Sequence, residues 1–202
     1  PERPHTLAHT LTSHPLLEIE ALAQLAERLP ITSVEYNRGD LPIGVDGKPG
    51  SNGMTIAETI RKVAEAESWA VLKNIESEGP YRDLLTALLG ELEPIVTPRT
   101  GAMLTPQGFI FISSPGSITP FHFDPEHNIL LQLRGTKVMN VWPSGDERFA
   151  HRREHERYHT GGHRNLPWQG AYQFGQYLPF TGFIQRDSGL WPDGTGLVKQ
   201  VR

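Results

Sequence analysis

The sequence predicts an α+β fold, with helices in its first half and a β-sandwich or barrel in its second. Three observations lead there. Apolar residues recur at helical spacing near the N-terminus, at Leu16, Ile19, Leu22, Ala23, Ala26 and Leu29. From Gly108 onward the chain breaks into short β-like runs separated by turn residues. Glycine (20) and proline (17) both exceed ordinary usage, as short strands joined by many turns require. A chain of 202 residues fits one domain, or one domain with a small appendage. At this size it buries roughly 70% of its unfolded surface and needs no disulfide or structural metal to fold.

Residues 1–13 are polar and aperiodic and read as an arm. The stripe between Pro15 and Leu29 predicts a helix, with Ser13 as N-cap and Pro30 as stop. Residues 37–53 are rich in Gly, Pro, Asn and Asp and read as a loop. Thr55-Ile-Ala-Glu58 is a capping box that opens a helix to about Glu67. Trp69–Ile75 reads as a buried strand. Pro80 begins a helix whose Leu84, Leu85, Leu88, Leu89 and Leu92 face a core, and the character changes after Pro94. The strands expected beyond it are Gly108–Ser113, Ile118–Asp124, Asn128–Leu133 and Lys137–Trp142, with a hairpin-like turn at Arg134-Gly135-Thr136. The division that follows is an N-terminal helical region, 1–93, packing on a β-rich core, 94–202.

Composition narrows the function. The chain has no cysteine, which removes disulfides, thiolate metal sites and cysteine nucleophiles together. A net charge of -4 carries no electrostatic footprint for nucleic acid. No apolar run approaches the ~20 residues of a membrane helix, and no signal peptide is visible. The expected setting is therefore cytoplasmic, without nucleic-acid or membrane partners and with homodimerisation open.

The chemistry concentrates in Thr119-Pro-Phe-His122-Phe-Asp124-Pro-Glu-His-Asn128, followed by Lys137. On a strand, His122 and Asp124 project from one face, because side chains alternate with period two. An imidazole nitrogen and a carboxylate oxygen aimed at one point are two-thirds of the facial triad that holds non-haem Fe(II). A lone His-x-Asp/Glu is weak, since about one is expected by chance in a chain with nine histidines and 23 acidic residues. Lys137 shares a strand face with Met139 and Val141, so its charge emerges among apolar residues and calls for an anion. The bland readings are a hydrogen-bonded His/Asp pair on a half-exposed strand, a snorkelling edge lysine, and turn-capping by Thr119 and Asn128.

The run from Thr119 to Trp142 resembles the JmjC or cupin-like class of Fe(II)/2-oxoglutarate-dependent oxygenases, in particular its asparaginyl-hydroxylase-like and bacterial cupin-like branches. The resemblance covers about residues 55–168 and is strong in 119–142. It implies a double-stranded β-helix (jelly roll) with helices packed outside. It implies Fe(II) held by His122 and Asp124, and 2-oxoglutarate seated by Lys137, Thr119 and Asn128. It also implies hydroxylation of a protein side chain or small molecule, coupled to conversion of 2-oxoglutarate to succinate and CO₂.

The family pattern also has a second histidine ligand near the end of the jelly roll, after a Pro-Gly-Asp turn. No histidine follows His163 here, and Asp187-Ser-Gly-Leu-Trp-Pro echoes that turn only loosely. The expectation is a jelly roll incomplete at its C-terminus. Three explanations stay open: an altered C-terminus, a pseudoenzyme, or another residue that completes the site. The alternative function is a catalytically inactive cupin-like binding or regulatory module lacking the third metal ligand.

A His/Arg-rich insert at 146–166 repeats histidine every fourth residue, at His151, His155, His159 and His163. Positions four apart share a helix face and can bind zinc or nickel together. The plainer reading is a solvated, salt-bridged connection at the barrel mouth, with Gly161-Gly162 ending any helix. Phe121 and Phe123 are expected to fill the gap between sheet and helices. Trp142, Trp168 and Trp191 read as packing residues, and Ser113–Gly116 as a turn.

Overall fold

The computed structural model describes residues 8–38, 51–117, 119, 121–124, 126–135, 137, 146–167 and 195–201. Helices and strands mix in it, as the sequence predicts. Helix α1 is Ile19–Arg28, α2 is Ile56–Arg61, α3 is Gly79–Thr100 and α4 is Arg152–His159. The strands are β1 (Val34–Arg38), β2 (Ser68–Lys73), β3 (Gln107–Ser113), β4 (His127–Arg134) and β5 (Thr195–Val201). They form one antiparallel sheet in the order β1-β2-β3-β5-β4.

The expected N-terminal helix starts later than its apolar stripe. Pro15–Leu17 is a 3₁₀ turn in which the His14 ring, not Ser13, accepts the Leu16 N–H, at 3.3 Å. The α-helix then buries Leu22, Ala23, Leu25 and Ala26. The preceding residues are more than a loose arm. Leu11 is buried, and His9 Nε2 donates to the Gln132 carbonyl of β4 at 2.9 Å.

The capping box forms as expected. Thr55 Oγ1 accepts from the Glu58 N–H, and Glu58 Oε2 accepts from the Thr55 N–H. The helix it opens stops at Arg61, six residues short of the expected end. The Ser114 hydroxyl bonds the Val63 carbonyl and accepts from the Ser68 N–H, so the backbone there is committed to meeting β2 and β3. Glu67 follows with a φ of 44°, turning the chain into β2.

Helix α3 differs in the other direction. It passes through Pro94 and Pro98 to Thr100 and ends at Gly101, whose φ is 78°. Each proline removes one N–H from the helical ladder. The two stand four apart on an exposed face, so the carbonyls left behind face water and the helix continues. On the other side Tyr81, Leu85 and Leu89 are buried, while Leu84, Leu88 and Leu92 are half-buried.

A single main core fills the space between helices and sheet. It joins Leu22 and Leu25 of α1, Ile60 of α2, Leu72 of β2, Ile110 and Ile112 of β3, and Leu131 and Leu133 of β4. Strand β3 shows the cleanest period-two pattern, with Gly108, Ile110 and Ile112 buried and their neighbours half-buried. Gly108 is required by space, because a Cβ there would sit 2.6 Å from Ile75 Cγ1.

The Ser113–Gly116 turn is present, with Gly116 at a φ of 78° and the Ser117 N–H donating to the Ser114 carbonyl. The expected strand Ile118–Asp124 is reduced, among its described residues, to one bridge between His122 and Asn165. The remaining strand from Lys137 to Trp142, the Asp187 segment, Trp168 and Trp191 lie outside the described residues, apart from Lys137 itself. Among the described residues no helix is long and apolar enough to cross a membrane.

Candidate metal centre

The His122–Asp124 segment is held by its backbone. The Phe123 N–H donates to the Arg164 carbonyl at 3.3 Å, and the Leu166 N–H donates to the Phe121 carbonyl at 2.9 Å. This short antiparallel pairing keeps His122 and Asp124 extended and on one face, as their spacing predicts. Their side chains converge. His122 Nε2 lies 3.6 Å from Asp124 Oδ1, and both side chains are about one-quarter exposed (25% and 29%).

That separation can be compared with a metal's needs. Two ligand atoms about 2.1 Å from one cation and about 90° apart lie about 3 Å from each other. The pair thus fits two neighbouring coordination positions after closing by roughly 0.6 Å from its 3.6 Å separation. No group of three His, Cys, Asp or Glu residues able to hold a metal occurs among the described residues. Two donors fit, and a third protein donor is not among the described residues.

Both oxygens of Asp124 already have partners. Asn128, the second residue of β4, donates its amide to Oδ2 at 2.6 Å. Arg164 Nη1 donates to Oδ1 at 2.8 Å. Asn128 is therefore joined to the carboxylate that the sequence placed at the centre. Arg164 is the residue that sequence reasoning missed. In the sequence it is one more charge in the His/Arg-rich insert, and a contact across 40 positions leaves no local pattern.

Lys137 lies two residues beyond Gly135, whose φ of 65° makes the turn after β4. It is half-buried, and burial lowers the pKa of its ammonium below the ordinary lysine range. Among the described residues it has no hydrogen-bond or ion-pair partner. Thr119 is exposed and makes no hydrogen bond among the described residues, so contact with the pair is not seen.

The insert docks beside the pair through an aromatic contact. The Phe123 ring lies 4.3 Å from the His155 ring and 5.7 Å from the Tyr158 ring, both on α4. Phe123 therefore seats the insert, whereas the sequence assigned it to the gap between sheet and helices. The histidines have local tasks. His151 caps α4 by accepting the Arg153 N–H, and the His159 ring packs on Tyr158. Ion pairs Arg152–Glu156 and Arg157–Glu154 line an otherwise solvated helix. Gly161, with a φ of 100°, follows its end. No protein-family model, curated protein or solved structure matches this chain.

Proposed function

We propose that the protein is an Fe(II)- and 2-oxoglutarate-dependent oxygenase of JmjC type, built on a jelly roll. It would hydroxylate a protein side chain or a small molecule. The observation that carries this reading is the convergence of His122 Nε2 and Asp124 Oδ1 to 3.6 Å on a backbone-fixed segment. Bound iron supplies the redox chemistry that couples oxidation of 2-oxoglutarate to hydroxylation.

The chain's own residues do the rest. His122 and Asp124 hold the metal. Asn128 fixes the carboxylate by occupying Oδ2, which leaves one oxygen to face the imidazole. Lys137 binds the distal carboxylate of 2-oxoglutarate, since a half-buried ammonium gains much from a charge-assisted hydrogen bond to an anion. Thr119 is the further co-substrate contact.

The test is turnover. Purified protein given Fe(II), ascorbate, O₂ and 2-oxoglutarate is expected to form succinate, and His122→Ala is expected to form none. Equal succinate from both proteins, or none from either, would reject the reading.

A second reading has its own support. Arg164 sits on the oxygen of Asp124 that faces His122, and the described residues supply no third donor. A cupin-like binding or regulatory module would have these features. It would bind a dicarboxylate through Lys137 without metal and form no succinate.

A further inference from the structure

We infer that Arg164 is a built-in competitor for the metal, a cationic latch that must leave Asp124 Oδ1 before the His122–Asp124 pair can close on a divalent cation. This rests on the reading of that pair as a metal site and adds a control on its occupancy.

Three observations carry it. Arg164 Nη1 donates at 2.8 Å to Asp124 Oδ1, the same oxygen that lies 3.6 Å from His122 Nε2. The guanidinium thus supplies positive charge at the carboxylate oxygen a cation would share with the imidazole. A divalent ion bound there would be repelled by a guanidinium that stayed, because the two positive charges would lie a few ångströms apart, well inside a Debye length. Next, Arg164 is placed there by the fold. Its carbonyl accepts the Phe123 N–H, and Asn165 and Leu166 continue the pairing with His122 and Phe121. Finally, its side chain is 38% exposed, so it has solvent to swing into while the backbone pairing stays intact. Release is a rotamer change, and α4 need not undock. Asn128 is different in kind. It is neutral, it holds the other oxygen, and it is compatible with a bound cation.

The experiment is a Mn(II) titration followed by the electron paramagnetic resonance of the free ion. The proteins are wild type, Arg164→Gln, Arg164→Lys and His122→Ala. Removing an exposed-to-intermediate ion pair and its repulsion is expected to tighten Mn(II) binding about three- to tenfold in Arg164→Gln. Arg164→Lys keeps the cation and is expected to stay within about twofold of wild type. His122→Ala is expected to lose the site.

Binding in Arg164→Gln that is equal to or weaker than wild type, with both dependent on His122, overturns the latch and leaves the metal reading standing. Absence of any His122-dependent binding overturns both. Should Arg164→Gln fail to fold, the wild type gives the answer through the Nη–H resonance of Arg164, the group that donates to Asp124. That signal is expected to lose its ion-paired shift on addition of Zn(II), and an unchanged signal at saturation contradicts the latch.

Discussion

Lys137 carries a cost in the free protein that the proposed co-substrate would offset. Burial strips hydration from its ammonium and lowers its pKa in the folded state, below the unfolded value of about 10.4. The protonated form is therefore the costly one. That cost is fully present below the folded pKa and fades as pH rises through it toward the unfolded value. Lys137→Met is expected to stabilise the ligand-free protein at pH 7 by about 1 kcal/mol. The same change should abolish any stabilisation by 2-oxoglutarate. Thermal melts with and without the dicarboxylate check this, and a variant that melts lower yet still responds would refute it. Legibility at this scale was uneven. The His122–Asp124 convergence could be read from a spacing of two, because strand side chains alternate. The Arg164 contact could not, since nothing local foretells which of several insert arginines crosses 40 positions to Asp124.

Elements were legible where a local rule governs them and illegible where a distant partner intervenes. The capping box of α2 could be read from Thr55 and Glu58 alone, but the helix end could not: just beyond it the Val63 carbonyl accepts from the hydroxyl of Ser114, 51 positions away. The change of character after Pro94 does not coincide with the end of α3, which passes through Pro94 and Pro98 on an exposed face. Two expectations belong here. Gly108→Ala would drive a methyl into Ile75, with Leu85 just behind, and is expected to cost about 1–3 kcal/mol of unfolding free energy. Urea titration measures it, and a loss under half a kcal/mol would show that Ile75 yields freely. The link between α1 and α2 is expected to be acid-sensitive. Arg61 grips Glu20 with two hydrogen bonds of 2.9 Å, which with Gln24 hold the Glu20 carboxyl down at about 2. A depressed folded value means stability that is present above the unfolded value of about 4.3 and lost as pH falls toward the folded one. The stability gap between wild type and Arg61→Gln is therefore expected to narrow as pH drops through that window, as urea midpoints at several pH values would register. A gap that stays constant with pH contradicts the role assigned to Glu20.

At the scale of the whole molecule, the mixture of helices and strands was legible from composition and periodicity, but a helices-then-strands order is not what forms: β1 and β2 lie among the helices of the first half, and α4 separates β4 from β5. The sheet order was not legible. Strand β5 pairs with both β3 and β4, so the last described residues lie inside the sheet. A Gly-rich tail gave no such signal, because inter-strand pairing depends on partners nearly a hundred residues away and weakly on the strand's own pattern. The sheet brings β4 beside the His122 segment, and with it Asn128 against Asp124 and the turn that leads to Lys137. In the proposed function, a metal on His122 and Asp124 and a dicarboxylate anchored by Lys137 would share one site. Calorimetric titration of 2-oxoglutarate into the protein, with and without Mn(II), tests that coupling most directly. Binding is expected to need the metal and to disappear in both His122→Ala and Lys137→Met. Binding of equal strength with and without Mn(II), or no binding in either condition, would contradict it.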